Sequence, residues 1–263
     1  MLGDSRAGKP AGDFRSMQQT IYHRILLLAN IHPAVTGFCP GKSVSDNARV
    51  HLGRKNVLKV DLHDFFPSIR SPRVRAAFRE MGYSRPIAKV LAELCCLRCC
   101  LPQGAPTSPA LSNIIAYPMD KKMMALAGEY GLVYTRYADD LTFSGDYLPK
   151  DEVLVRIHRI IREEGFTMNV KKTRFLSEHK RKIITGVSVS SGKKMTLPKV
   201  KKREIRKNVH YVLTKGLVGH QEHIGSTDPV YLKRLLGSLC YWRSIEPDNR
   251  YVSDSITALK RLM

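Results

Sequence analysis

The chain has 263 residues, 43% apolar and 25% charged, an ordinary balance for a globular protein of one domain or two closely joined ones. Forty-four Lys and Arg face 23 Asp and Glu, a formal charge of +21, so the expected partner is a polyanion, nucleic acid ahead of an anionic membrane. No apolar run approaches the ~18 residues of a membrane span, no basic amphipathic helix offers an aromatic face, and the start lacks a secretory apolar core; together these indicate a cytoplasmic protein with no membrane partner.

Residues 1–13 carry Gly, Pro and charge without a period and read as a loose end. Met17, Ile21, Ile25 and Leu28 recur at helical spacing and predict a helix over 14–28. Residues 32–45 are a turn-rich link marked by Pro33, Gly37, Pro40 and Gly41. Residues 57–62 read as a strand running into Asp61. Ser71 looks like an N-cap and Pro72 a first helical residue, opening a helix that reaches Met81. A second helix over 85–98 holds Cys95, Cys96, Cys99 and Cys100. Cys96 and Cys99 have the spacing of a metal or redox pair, but no second pair of ligands matches it, so the reading is reduced thiols on a buried helix. Residues 102–109 form a loop, and Thr107 or Ser108 caps a helix that continues to Ala127.

Leu132, Val133, Tyr134 and Tyr137 precede Asp139 and Asp140, and Leu141, Thr142 and Phe143 follow. That pattern is a hairpin with two acids at its tip. In a straight strand adjacent side chains face opposite ways, whereas at a tight turn both can face one side. Two like charges about 4 Å apart repel by roughly 4 kcal/mol at an effective dielectric of about 20. A cation must therefore lie near, and Mg²⁺ suits hard carboxylate oxygens. Asp61, at a strand end, supplies a third carboxylate. Three are enough for a two-metal site that clamps the attacking and leaving oxygens of a phosphoryl displacement. Read singly, Asp61 is a strand-terminating turn residue and Asp64 a cap.

A helix over 151–164 follows, then short strands around Phe175 and over 183–189, and a helical pattern from Pro198 onward. Residues 171–216 hold 15 Lys and Arg against two acids, the mark of a phosphate-backbone groove. There is no internal repeat and no low-complexity segment. The fold class is α+β, with a helical appendage starting near Leu197. Trp242, on an apolar helix that ends at Ser244-Ile245-Glu246-Pro247, reads as a packing residue.

Four motifs in order carry a family resemblance. They are Asp61-Leu62-His63-Asp64-Phe65-Phe66-Pro67-Ser68-Ile69; Leu101-Pro102-Gln103-Gly104-Ala105-Pro106-Thr107-Ser108-Pro109; Tyr137-Ala138-Asp139-Asp140; and residues 165–173, with Gly165, Asn169, Lys172 and Thr173. The chain resembles a reverse transcriptase, and over about Phe14 to Leu262 it most resembles the retron reverse transcriptases of bacteria. Asn47-Ala48-Arg49-Val50-His51 fits that group's Asn-Ala-x-x-His insert. Ile184-Thr185-Gly186 is close to its Val-Thr-Gly triplet, with one conservative departure. Alone, Asn47 and His51 read as a helix cap and a surface imidazole.

The resemblance implies a right-hand polymerase with a flexible N-terminus (1–13), fingers and palm (14–196) and a short helical, RNA-binding C-terminal thumb (197–263). It implies that Asp61, Asp139 and Asp140, with Leu62, hold two Mg²⁺ ions, for which Mn²⁺ can substitute. Leu62, Phe66, Gln103 and Tyr137 would contact the nucleotide, Phe66 as the gate against a ribose 2′-hydroxyl. Lys172 would approach the departing pyrophosphate. Asn47, His51, Thr185, Gly186, Lys199, Lys201, Lys202 and Arg203 would contact RNA or primer. The implied activity is copying part of a cognate structured non-coding RNA into DNA from dNTPs, the cDNA branching from a 2′-hydroxyl. An effector protein and a role in antiphage defence are implied by the same resemblance. Retron enzymes carry more chain ahead of the helix at Phe14, and here that stretch offers only Arg6, Lys9 and Arg15 as basic residues. Two alternatives are another reverse transcriptase lineage (intron-encoded or diversity-generating) and a truncated polymerase-derived RNA-binding protein. Against the first, about 75 residues after the triplet leave little room for a maturase or endonuclease. Against the second stand three intact carboxylates, which gain nothing beside RNA without a cation.

Overall fold

A computed structural model describes residues 12–263. The expected loose end over 1–13 lies almost wholly outside the described residues, as do Arg6 and Lys9. In chain order the elements are α1 (Gly12–Arg24), a 3-10 turn (Leu26–Leu28), α2 (Val44–Arg49), β1 (Asn56–Leu62), α3 (Phe65–Ser68), α4 (Ser71–Glu80), α5 (Arg85–Cys95), α6 (Ser108–Ile115) and α7 (Tyr117–Glu129). There follow β2 (Val133–Tyr137), β3 (Asp140–Gly145), α8 (Lys150–Glu163), β4 (Met168–Leu176), β5 (Ile183–Ile184), β6 (Val187–Ser188), α9 (Lys199–His223), α10 (Tyr231–Ile245) and α11 (Arg250–Lys260). The architecture is mixed helix and strand, as the patterning predicts. The chain forms two compact units: one holds residues up to Asn47 and Arg54–His179, the other Ala48–Gly53 and Lys180–Met263.

The first unit is an antiparallel sheet, order β2-β3-β1-β4, with helices packed on it. Strand alternation sets its two faces. Leu58, Val60 and Leu62 of β1 and Leu141 and Phe143 of β3 enter one apolar core with Phe65, Phe78, Met119 and Ile157. Lys59 and Asp61 of β1 and Asp140 and Thr142 of β3 therefore project from the other face.

Several expected boundaries move. The helix over 14–28 ends at Arg24 and tightens into the 3-10 turn. Met17 is 52% exposed, and Gln18 takes the buried position, its Nε2 donating to the Leu94 carbonyl at 2.8 Å. Ser71 is already helical and Arg70 is the cap. The helix expected to run to Ala127 breaks at Ala116, because Pro118 cannot continue it and starts α7 instead. The cysteine cluster is not one buried helix. α5 ends at Cys95, and Leu97 to Cys100 fold into a turn with Arg98 and Cys99 at positive φ. Only Cys95 is buried, and burial pushes its thiol up to about 12.

The second unit packs α9, α10 and α11 together and also holds the β5–β6 hairpin. Ile205, Val209, Leu235, Leu239, Trp242, Val252 and Leu259 are its buried apolar residues. Trp242 is fully buried, in the packing place expected of it. α9 is broken at Gly216 (φ 75°, ψ 166°), so its regular basic stretch ends at Lys215. α11 extends the helical tail beyond the expected last helix. Its signal was present: Asn249 accepts from the Val252 N–H as an N-cap, and Val252, Ile256 and Leu259 repeat at helical spacing. Among the described residues, no helix is long and apolar enough to cross a membrane.

Candidate active site

Sheet register brings the distant acids together. Asp61 of β1 is the cross-strand partner of Asp140 of β3, so the two lie side by side on the face away from the core. Tyr137 pairs with Asp140, leaving Ala138 and Asp139 as a two-residue hairpin loop. Ala138 has φ 56°, the positive value a primed hairpin turn demands and an uncommon one for a residue with a Cβ. The Leu62 N–H donates to the Asp139 carbonyl at 3.0 Å, stitching the loop to the end of β1.

A cavity of about 290 Å³ opens beside these acids. It is lined by Asp61, Leu62, His63, Asp64, Phe65, Phe66, Gln103, Asp139, Asn169 and Lys172. Phe65 turns into the core against Phe166, whereas Phe66 stays half-buried. The Leu62 side chain is buried, so only its backbone can serve the cavity. Lys172 arrives through a bulge. Between the pairs Lys59↔Arg174 and Asp61↔Asn169, β1 advances two residues and β4 five. Such a bulge re-aims a side chain. Here Lys172 Nζ lies 3.2 Å from Asp61 Oδ2, and Asn169 braces the bulge by accepting from the Lys172 N–H at 3.3 Å.

The charges are poised for a cation. Burial pushes the Asp139 carboxyl above its ordinary value, and Asp140 and Asp61 push the same way. Asp140 is likewise raised, by burial first and by Asp61, against the pull of Lys59 and Lys172. Lys172 is raised by its hydrogen bond to Asp61. Asp61 Oδ1 is buried with no hydrogen-bond partner. Three hard carboxylates with one oxygen left over fit a divalent ion such as Mg²⁺. Among the described residues no three His, Cys, Asp or Glu side chains form a ready-made cage. The acids would supply part of a coordination shell, the form Mg²⁺ accepts when water and substrate phosphate complete it.

Beneath the loop, residues 34–38 run alongside β2. Arg136 N–H donates to the Ala34 carbonyl at 3.0 Å and Thr36 N–H to the Arg136 carbonyl at 2.9 Å. Gly37 sits directly under the turn: a Cβ there would come within 2.5 Å of the Ala138 nitrogen. Phe38 (φ 60°, 42% exposed) places its ring 6.0 Å from Phe66 and 6.4 Å from Tyr137.

Sequence comparison supplies the family. The profile described as "Reverse transcriptase (RNA-dependent DNA polymerase)" matches residues 4–211. The chain is 36% identical over 218 residues to the Retron Ec86 reverse transcriptase of Escherichia coli, covering 82% of this chain and 67% of that protein. The chain belongs to the reverse transcriptase family, among its retron-type members. It is also 34% identical over 259 residues to the Retron Mx65 reverse transcriptase of Myxococcus xanthus, covering 91% of this chain and 58% of that one. This retron-type chain thus spans from over half to two thirds of the length of those relatives. Among solved structures, telomerase from Candida albicans in complex with a telomeric RNA fragment overlaps it with TM-score 0.42 at 11% identity, over 95% of this chain and 53% of that one. Apo telomerase from Candida tropicalis overlaps with TM-score 0.48 at 12% identity, over 71% and 45%. The assignment rests on the sequence relatives alone.

Within this reverse transcriptase, Asp61, Asp139, Leu62, Phe66, Gln103 and Lys172 share the cavity, and Asp140 joins through the Asp61 pairing. Tyr137 connects through Phe38. Asn47 and His51 are both fully buried, which corrects the surface-imidazole reading, and Asn47 Oδ1 accepts from Thr36 Oγ1 at 2.9 Å. Thr185 and Gly186 form the β5–β6 turn, both at positive φ. Lys199 and Arg203 are exposed on α9, Lys201 pairs with Glu204 at 2.9 Å, and Lys202 is held 2.6 Å from Glu246. Sequence reading missed Gly37, Phe38 and Arg136. A signal existed for the last: an arginine between Thr135 and Tyr137 in an apolar strand must find a buried partner.

Proposed function

We propose that this chain is the catalytic part of a retron-type RNA-directed DNA polymerase, which copies part of a cognate structured RNA into DNA by two-metal nucleotidyl transfer. The single observation that carries the reading is the Asp61–Asp140 strand pairing beside Asp139, at a cavity shared with Phe66, Gln103 and Lys172. Asp61, Asp139 and Asp140 would hold two Mg²⁺, with the Leu62 backbone beside them. When bound, such ions activate the primer hydroxyl and stabilise charge on the transferring phosphate. The chain's own residues do the rest. Phe66 bounds the sugar pocket and excludes a 2′-hydroxyl by bulk. Gln103, exposed in the loop before α6, meets the incoming nucleotide. Lys172, charged and tied to Asp61 without substrate, can move to the leaving pyrophosphate and neutralise or protonate it.

The partner is RNA. Lys199, Arg203, Arg206 and Lys207 are exposed on α9 at spacings of three, four and seven, which place them on one helix face. Such a face suits the phosphates of a duplex read by shape. The Arg206 guanidinium lies over the neighbouring rings of Trp242 and Tyr251, 5.4 and 5.2 Å from their centroids. By kinship with the retron relatives, the product is DNA branched from a 2′-hydroxyl of the template RNA, and the system serves antiphage defence beside an effector protein. The test is synthesis from purified protein, the structured RNA encoded beside its gene, dNTPs and Mg²⁺. The expected result is RNase-resistant DNA joined to RNA, absent from the Asp139→Ala/Asp140→Ala variant. Equal product from that variant would refute the proposal.

A further inference from the structure

The two-residue loop that carries Asp139 is gripped from the core side by a buried polar cluster. Arg136 pairs with Leu141, a core residue, so its side chain leaves β2 on the face opposite the paired acids. Its guanidinium is fully buried. Nε and Nη2 donate to the two oxygens of Asp120 on α7, at 2.8 and 2.7 Å. Nη1 donates to Asn113 Oδ1 on α6 at 3.1 Å and to the Ala138 carbonyl at 3.0 Å. Asn113 Nδ2 donates in turn to the Gly37 carbonyl at 2.9 Å, and Tyr134 Oη to Asp120 Oδ1 at 2.7 Å.

We infer that Arg136, oriented by Asp120 and Asn113, is a positioning residue for the metal-binding loop. The carbonyl of Ala138 belongs to the peptide that leads into Asp139. Fixing that peptide plane fixes the direction from which the Asp139 side chain departs. The same cluster holds the Gly37 backbone, which lies against the Ala138 nitrogen. One face of the loop is thus clamped to two helices while the other presents carboxylates. Arg136 acts by direction and not by charge, because Asp120 cancels its charge at hydrogen-bond distance. Stability alone does not require this arrangement. A buried ion pair can usually be replaced by packed apolar side chains of similar volume with little loss. What an apolar substitute cannot do is hold the Ala138 carbonyl.

This inference rests on the polymerase reading above. The test compares wild type with Arg136→Met/Asp120→Leu/Tyr134→Phe, which removes the cluster while leaving no buried charge and no orphaned phenol. Thermal melting reports folding. Mn²⁺ binding by electron paramagnetic resonance reports the site without turnover, and primer extension gives kcat and the KM for dNTP. The expected result is a folded variant that binds Mn²⁺ at least about tenfold more weakly and loses about 10²-fold in kcat, the scale of a small misplacement, with KM for dNTP unchanged. A folded variant with wild-type Mn²⁺ affinity and kcat would overturn the inference. Should the triple variant not fold, Arg136→Lys decides. It keeps the charge beside Asp120 but cannot also reach Ala138, so it should show the same weakened metal binding, and wild-type behaviour from it overturns the inference. Wild type that neither binds Mn²⁺ nor polymerises would instead overturn the functional reading, and this inference with it.

Discussion

At the scale of single residues, function and stability oppose one another in the acidic loop. Asp139 binds its proton more tightly in the folded chain than in the unfolded one, first because of burial and then because of Asp140 and Asp61. A carboxyl raised in this way makes the metal-free fold less stable as pH climbs from the ordinary value of 3.8 through the raised one, and the deficit persists at neutral pH. Asp139→Asn removes it. Melting of the metal-free variant at pH 7 should rise by about 2 °C, flatten with pH across that window, and lose the increase that Mg²⁺ gives wild type. A lower melting temperature would show that the carboxylate is a structural anchor. Gly37 makes the converse prediction. A Cβ 2.5 Å from the Ala138 nitrogen meets backbone, which cannot step aside. Gly37→Ala should destabilise by about 1–3 kcal/mol through overpacking and cut kcat by roughly 10²-fold, measured by urea unfolding and primer extension.

At the scale of elements, the second unit depends on Glu246 just beyond α10. Its carboxylate accepts from the Leu197 N–H at 2.8 Å, from Asn249 Nδ2 at 2.9 Å, and pairs with Lys202 at 2.6 Å. Burial alone would raise it, but these donors outweigh burial and hold it below its ordinary value. The sign is therefore opposite to that of Asp139. Its contribution is complete above 4.5 and disappears as pH falls through the lower folded value. Glu246→Gln should lower stability by about 1–3 kcal/mol at pH 7 and weaken the acid dependence of unfolding, read by urea titrations at pH 7 and pH 4. If the variant unfolds like wild type at pH 7, the three contacts contribute nothing net. Elements differ in how far sequence reveals them. The Asp139 hairpin was legible because alternation and turn chemistry are local. The break at Ala116 is also local, set by Pro118. The β4 bulge and the run of residues 34–38 beside β2 were not legible, since both are set by register with strands far along the chain.

At the scale of the whole molecule, three features agree: an excess of 21 positive charges, a cavity whose walls come from four separated motifs, and retron-type sequence kinship. The motifs gave the members of the site, and the fold supplied what they could not, namely how Asp61 meets Asp140 and what holds the loop between them. Asn47 and His51 are buried, and a motif match by itself does not tell packing from contact. The most direct measurement is single-nucleotide incorporation on a primed RNA template by the full chain, comparing wild type with Asp61→Asn at saturating Mg²⁺ and dNTP. Loss of a carboxylate from a shared two-ion site should lower the rate by about 10³-fold, roughly 4 kcal/mol of transition-state stabilisation, with the protein still folded. An Asp61→Asn variant that incorporates nucleotide within a few-fold of wild type would contradict the site.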